Sequence, residues 1–292
     1  MASRDGNGWV RCDLGHRHWG RFGAAGLLAF VTGGPVLLQR RVWWSHHGGT
    51  WGLPGGARDS HESALSAALR EAAEECGVPP AAVRQRGVFT DDHGGWSYTT
   101  VLAEAATAFG VEPDDEESDE VAWVGVPEVT ARDLHPGLAE HWDGLRRELS
   151  PVTVIVDGAN VVGSRPDGWW RDRAGAAARL AGELAPLVTG GLTTLPDGLA
   201  EAVHDGHPGP RTAMRWLPEV VLVVEGAARS AAAGDGPVRI TAAAGTGDDT
   251  IAALAGQTPG RRVVVTADRE LRRRCVGAGA AVAGPGWLFS VL

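Results

Sequence analysis

The chain has 292 residues, enough for two ordinary domains, and 43% of them are hydrophobic, enough for sizeable cores. Its net charge of −9 sits entirely in residues 1–150, which carry 13 Arg against 22 Asp and Glu, whereas residues 151–292 balance 14 against 14. A dedicated basic nucleic-acid binder is thus disfavoured for either half. No run of about 18 apolar residues offers a membrane span, and no apolar core follows the N-terminus as in a signal peptide, so a cytoplasmic protein without membrane partners is expected.

Three cysteines without CxxC spacing argue against a disulfide framework. Cys12, His16 and His18 have suitable donor atoms, but no fourth ligand stands in a matching motif, so no zinc site is expected there. The basic residues are all Arg, and with abundant Ala and Gly they point to a GC-rich, actinobacterial type of genome.

In chain order, residues 25–40 read as two strands joined at Gly33-Gly34. Ser60 is the expected N-cap of a helix that Gly77 and Pro79-Pro80 terminate. On that helix Glu71, Glu74 and Glu75, at i, i+3 and i+4, share one face. Like charges at this spacing repel, whereas a hard divalent cation would turn the repulsion into binding. Residues 84–90, 97–104 and 121–126 read as strands, with the acidic run Glu112–Glu120 before the last. A short helix follows from Pro127, and a polar helix over Pro136–Ser150 closes a first domain.

A second domain is expected over 151–292. Val152–Val156, Val220–Val224, Val238–Ala242, Arg262–Val265 and residues 280–283 read as strands. Helices over Asp172–Leu187, after Thr250, and over 269–274 alternate with them, which predicts a parallel sheet. Residues 188–215 show too little periodicity to assign. Asp157, Asp248, Asp249 and Asp268 fall at strand ends or helix starts, and in a parallel sheet such ends converge on one crevice. Turn and cap positions also favour Asp, so the pattern has a purely structural reading as well. The pairs Trp43-Trp44 and Trp169-Trp170 are expected mainly in cores, as are Trp51 and Trp96, either of which could instead stack on a base.

Residues 56–78, GARDSHESALSAALREAAEECGV, match every fixed position of the Nudix box GX5EX7REUXEEXGU, with Ala72 the smallest possible aliphatic at its site. Trp51–Gly56 resembles the WxLPGG lead-in of the same family. The resemblance implies an α/β/α sandwich with a mixed sheet and Mg2+- or Mn2+-dependent cleavage of a pyrophosphate bond in a nucleotide substrate. It implies Glu71, Glu74, Glu75 and the Gly55 carbonyl as metal ligands. Arg70 then buttresses Glu62 and stands, with Trp96, among substrate-binding candidates. A further carboxylate, Glu117 or preferably Glu120, serves as base or extra ligand.

The order VDGAN…GDDT…TADREL resembles the NYN/PIN-like nucleases, closest to the YacP-type branch. That resemblance implies a second α/β/α domain with a mostly parallel sheet. Asp157, Asp268 and Asp248 or Asp249 would bind metal, with Asp157 and Asp249 catalytic. Asn160 would position phosphate or water, and Arg269 with its neighbours would track an RNA backbone. The alternative is a second domain that binds RNA or protein without cleaving. The sequence leaves the oligomeric state open.

Overall fold

The structure, a computed structural model, describes residues 4–114, 116–166, 168–196, 199, 211–233 and 235–292. Asp115 of the acidic run, Met1–Ser3 of the N-terminus and most of the unassigned stretch after residue 196 lie outside these described residues. The chain divides into two compact units, Met1–Ser150 with Val203–Met214, and Pro151–Ala202 with Arg215–Leu292.

The first unit runs β1 (Trp9–Arg11), β2 (Arg17–Trp19), β3 (Ala24–Val31), β4 (Pro35–Arg41), β5 (Trp51–Gly52), β6 (Gly55–Ala57), α1 (Ala64–Cys76), β7 (Val83–Asp92), β8 (Ser97–Ala105), β9 (Ser118–Gly125) and α2 (Pro136–Leu145). β1 and β2 form a separate hairpin. The main sheet is mixed. β3 runs parallel to β8 and antiparallel to β4 and β6, and β4 is antiparallel to β5 and β9.

β3 explains the layering. Alternate residues of a strand face opposite sides. Ala25, Leu27 and Ala29 pack with Ala67, Ala68 and Ala72 of α1. Leu28 and Phe30 pack with Leu138, Trp142 and Leu145 of α2. A strand buried on both faces reads as a continuous apolar run, as β3 does. The alanine face of α1 explains the small residue at position 72, since a bulkier face would hold the helix, and its glutamates, away from the sheet. The segment after Pro136 is amphipathic rather than simply polar, because Leu138, Trp142 and Leu145 are buried.

Ser63, not Ser60, caps α1. Its backbone is extended and its hydroxyl accepts from the Ser66 amide. Ser60 is instead engaged, through amide and hydroxyl, by the Asp5 carboxylate. Gly77 ends the helix at φ 66°, a left-handed conformation that glycine adopts without steric cost.

The second unit continues with β10 (Val152–Asp157), α3 (Gly158–Gly163), α4 (Arg173–Gly190), β11 (Arg211–Trp216), β12 (Glu219–Val224), β13 (Arg239–Ala242), α5 (Gly247–Gln257), β14 (Arg261–Val265), α6 (Arg269–Gly277), β15 (Ala281–Ala283) and α7 (Pro285–Ser290). Arg211–Met214 of β11 belong to the first unit, where β11 lies beside β7 at the sheet edge. The other five strands form a wholly parallel sheet in the order β13-β12-β10-β14-β15. Ile155, Val221, Val223 and Val264 pack against Ile251 and Ala255 of α5 and Leu271 and Cys275 of α6. α3 and α4 also contact β12. The chain steps outward from β10 to β12 and β13, then returns to β14 on the other flank of β10. The strand order therefore reverses at the β10–β14 pair, the kind of crevice where open α/β sheets bind ligands.

Candidate active site

α1 brings two of its three glutamates onto the sheet. Glu71 and Glu75 are buried, and together with Glu117 they present carboxylate oxygens within 4.8 Å of one another. Glu75 Oε2 accepts from the Gly55 amide at 2.7 Å and from Gln39 Nε2 at 3.0 Å. Gln39 is wholly buried on β4 and is itself fixed by the Ser118 hydroxyl, which donates to its Oε1 at 2.6 Å. Gln39 has no part in the box. An uncharged polar residue in the apolar run of β4 is its only signal.

The glutamates are held under electrostatic tension. Burial, then Glu117 and Glu71, push the Glu75 carboxyl well above its ordinary range, and these influences outweigh the Gly55 donor that favours the charged form. Burial raises Glu71 too, although Arg70 opposes it. Two buried carboxylates driven towards protonation by burial and by neighbouring acids, with the exposed Glu117 beside them and only Arg70 on Glu71 in opposition, form a donor set that fits a hard divalent ion. Glu74 is more exposed and lies outside this group. Its oxygens take Arg4 at 2.8 Å and Arg70 at 3.2 Å.

Glu117, rather than the preferred Glu120, completes the cluster. Glu120 lies within β9 opposite Arg40, with which it makes an exposed ion pair at 3.7 Å. Glu117 precedes β9 in a loop docked on the end of α1, where Asp114 N donates to Glu75 O at 3.0 Å and Glu112 N to Cys76 O at 3.3 Å.

Arg70 is a buttress and has no capacity left for substrate. Its Nε and Nη2 grip Glu62 at 2.7 and 2.9 Å, Nη1 donates to Glu71 and Glu74, and Nη2 also donates to the Ala57 carbonyl. These five bonds account for all five guanidinium hydrogens. The glycine pair is equally constrained. A Cβ on Gly55 would lie 2.4 Å from the Ala25 carbonyl, and one on Gly56 would lie 2.6 Å from Glu71 Oε1. The Gly55 amide donates to Glu75, and its backbone pairs with Gly26 of β3.

Gly55 also borders a cleft of about 280 Å3. Leu53, Phe89, Leu138 and Leu145 give it apolar walls, and Asp91, His93, His135 and His141 give it polar groups. Asp91 Oδ2 receives both His93 Nε2, at 3.1 Å, and His141 Nε2, at 3.2 Å. Those two histidines hold the Asp91 carboxyl below its usual range in spite of burial. Trp96 lines the cleft, donates to the Gly20 carbonyl and stacks on His18 at 3.9 Å, so one of its faces is occupied. Trp51 is a core residue under Arg132. Trp43, Trp44 and Trp170 are not core residues, being 76%, 59% and 56% exposed, because each lies in a connecting segment beyond the apolar run of its neighbouring element.

In the second unit Asp157, Asp248 and Asp268 line a second cleft at the strand-order reversal, with Asn160 beside them. Asp157 Oδ1 caps α3 at the Asn160 amide, and its Oδ2 accepts from Thr266 Oγ1 at 2.8 Å across the β10–β14 crevice. Burial, opposed by these donors and aided by Asp248 and Glu225, raises Asp157 above its ordinary range. Asp268 caps α6 at the Leu271 amide. Asn160 ties the loop after β14 through the Ala267 amide. Glu225, just past β12, is a fourth acid of this cleft, and sequence reasoning missed it.

Two expected residues stand apart from the second cleft. Asp249 is bound by Thr246 Oγ1 and by Arg274 at 2.7 Å, one helical position away from where Asp248 points inward. Arg269 is exposed at the start of α6, and Arg273 and Arg274 of the same helix are paired with Glu270 and Asp249. Among the described residues the second unit contains no three carboxylate, His or Cys donors within 4.8 Å of one another.

Residues 20–147 match the family model described as NUDIX domain. A Mycobacterium tuberculosis protein named "Putative 8-oxo-dGTP diphosphatase 3" is 47% identical over 160 residues, covering 51% of this chain and 72% of that one. A nucleoside triphosphate pyrophosphatase/Nudix hydrolase fusion protein from Bifidobacterium longum is 42% identical over 157 residues, covering 51% of this chain and 33% of that one. The solved structure of RenU, a Nudix hydrolase from M. smegmatis, is 49% identical, covers 48% of this chain and 93% of that one, and superposes with a TM-score of 0.44.

Proposed function

The chain belongs to the Nudix family of pyrophosphohydrolases, and from that premise we propose that its first unit cleaves oxidised purine nucleoside triphosphates such as 8-oxo-dGTP. The carrying observation is that Gly55 bridges the two halves of the site. Its amide holds Glu75 in the carboxylate cluster, and the same residue borders the apolar cleft. A base in the cleft thereby brings its phosphates to the carboxylates. The mycobacterial relative's name supports the oxidised purine as substrate class.

Glu71, Glu75 and Glu117 would hold Mg2+ or Mn2+, with Glu74 able to join once a cation displaces Arg4. A bound cation supplies charge neutralisation at the phosphates and a more acidic water. This chain's residues do the rest. Gln39 and the Gly55 amide fix the Glu75 rotamer, Arg70 fixes Glu62 and Glu71, and Glu117, the most exposed of the three acids, accepts the proton of the attacking water. Release of phosphate or pyrophosphate from 8-oxo-dGTP, dGTP, ADP-ribose, NADH and diadenosine polyphosphates tests this reading. Turnover highest on 8-oxo-dGTP and lost in Glu75→Gln is expected, whereas turnover confined to ADP-ribose or NADH would sink the substrate assignment.

For residues 151–292 as a separate domain, the reading is an NYN/PIN-like nuclease. The four acids Asp157, Glu225, Asp248 and Asp268 at the carboxyl edge of a parallel sheet support it. The wider spacing of its acids makes binding without cleavage the competing reading. Mn2+-dependent cleavage of single-stranded RNA that disappears in Asp157→Asn distinguishes them, since a binding module retains RNA in both forms and cuts it in neither.

A further inference from the structure

The N-terminal hairpin is built from two three-residue strands, and an isolated hairpin of this size is marginal in water. Its turn is tight, with Cys12 N donating to His16 O at 3.0 Å and Gly15 N to Cys12 O at 2.9 Å. It docks on the turn between β7 and β8 through Asp13 N and the Gly94 carbonyl, 2.9 Å apart. Gly94 and Gly95 both have left-handed backbones, at φ 70° and 69°, as a two-residue hairpin turn with positive φ at both positions requires. A Cβ on Gly94 would meet the Asp13 carboxylate, which would have to move aside, and the left-handed backbone itself favours glycine there.

This docking supplies the fourth ligand that the sequence lacked. Cys12, His16, His18 and His93 each offer a donor atom, all within 4.8 Å of one another. The ideal separations around tetrahedral zinc are about 3.3–3.6 Å, a small contraction from that arrangement. Two ring nitrogens have no other occupation. His18 Nε2 and His93 Nδ1 are buried without a hydrogen-bond partner among the described residues. A polar atom left so is costly unless something binds it. His93 Nε2 already rests on Asp91, the carboxylate support that zinc-binding imidazoles commonly have.

We propose that Cys12, His16, His18 and His93 bind one zinc ion that staples the N-terminal hairpin onto the β7–β8 turn. A thiolate with three imidazoles selects zinc over the oxygen-seeking Mg2+ of the carboxylate cluster, and four protein ligands make the site structural. The ion fixes the wall of the cleft, because His18 and His93 line it and Trp96 stacks on His18. The metal assignment stands apart from the choice of nucleotide.

Titration of the reduced, metal-stripped full chain with Co2+, in Mg2+ sufficient to fill the carboxylate site, tests it. One equivalent should give tetrahedral visible bands and a near-ultraviolet thiolate band, both abolished by zinc. Cys12→Ser should lose the thiolate band. His16 is exposed, so His16→Ala should fold and bind Co2+ at least tenfold more weakly. Absence of tetrahedral bands in the wild type, a thiolate band that survives Cys12→Ser, or unchanged affinity in His16→Ala would each overturn the proposal.

Discussion

Glu117 shares a carboxylate cluster with Glu71 and Glu75, whereas Glu120 pairs with Arg40 on β9, and rates can separate the two. Glu117→Gln should lower kcat on the preferred nucleotide by roughly 10²–10³-fold, the scale of losing a metal ligand or base, whereas Glu120→Gln should change it less than about threefold. Steady-state rates of the two variants side by side check this. Arg70 makes the second residue-scale case. Lysine has three donors and no fork, so Arg70→Lys cannot replace the bidentate hold on Glu62 together with the bonds to Glu71, Glu74 and Ala57. A loss of about 2–3 kcal/mol in urea unfolding is expected, with weaker Mn2+ binding. In a chain without lysine an arginine can stand merely for positive charge. At position 70 it does not.

At the scale of elements, α2 carries a titrating cap. His135 precedes it, and its Nδ1 accepts from the Gly137 amide at 3.2 Å. Burial, with His47, Arg41 and His46 nearby, holds its pKa down from 6.5 to about 4. The unfolded chain therefore takes up a proton that the folded one refuses. The stability linked to neutral His135 is present above pH 6.5 and is lost as pH falls towards 4. Asn also caps helices but does not titrate, so His135→Asn should lose less Tm than wild type between pH 7.5 and 5. An equal loss in both would rule out this linkage.

Elements were also where the sequence was most legible, and particular residues show why it stopped there. The face shared by Glu71, Glu74 and Glu75 follows from helical period alone, and the strand assignments follow from short apolar runs. The N-cap slipped from Ser60 to Ser63 because Asp5, far away in sequence, claims Ser60. That Glu117 rather than Glu120 lies beside Glu71 and Glu75 was hidden because it depends on a loop closing onto Glu75 O and Cys76 O. Gln39, Glu225 and His93 could not be placed for the same reason: each reaches its cluster only through neighbours that tertiary folding supplies.

At the scale of the whole molecule, each candidate site is assembled wholly within its own unit. Asp157→Asn should therefore leave nucleotide hydrolysis within about twofold of wild type, and Glu75→Gln should leave the RNA activity proposed for the second unit equally untouched. Assaying both variants for both activities checks this independence, and a crossed loss would show that the two units act together.

The parallel pairing of β3 with β8, Ala24 against Tyr98 through Val31 against Ala105, bears on how the chain is made. During synthesis β3 leaves the ribosome long before its central partner exists. Leu27, Leu28 and Phe30 must wait with an open edge, the sort of segment that invites aggregation. The β7–β8 hairpin, by contrast, closes locally within microseconds of emerging, since its Gly94-Gly95 turn is built for it. The open edge of β3 therefore closes only on the arrival of residue 105, and its Leu28 and Phe30 face is covered only later by α2, so a pause in translation just before residue 105 would prolong the exposure of that edge.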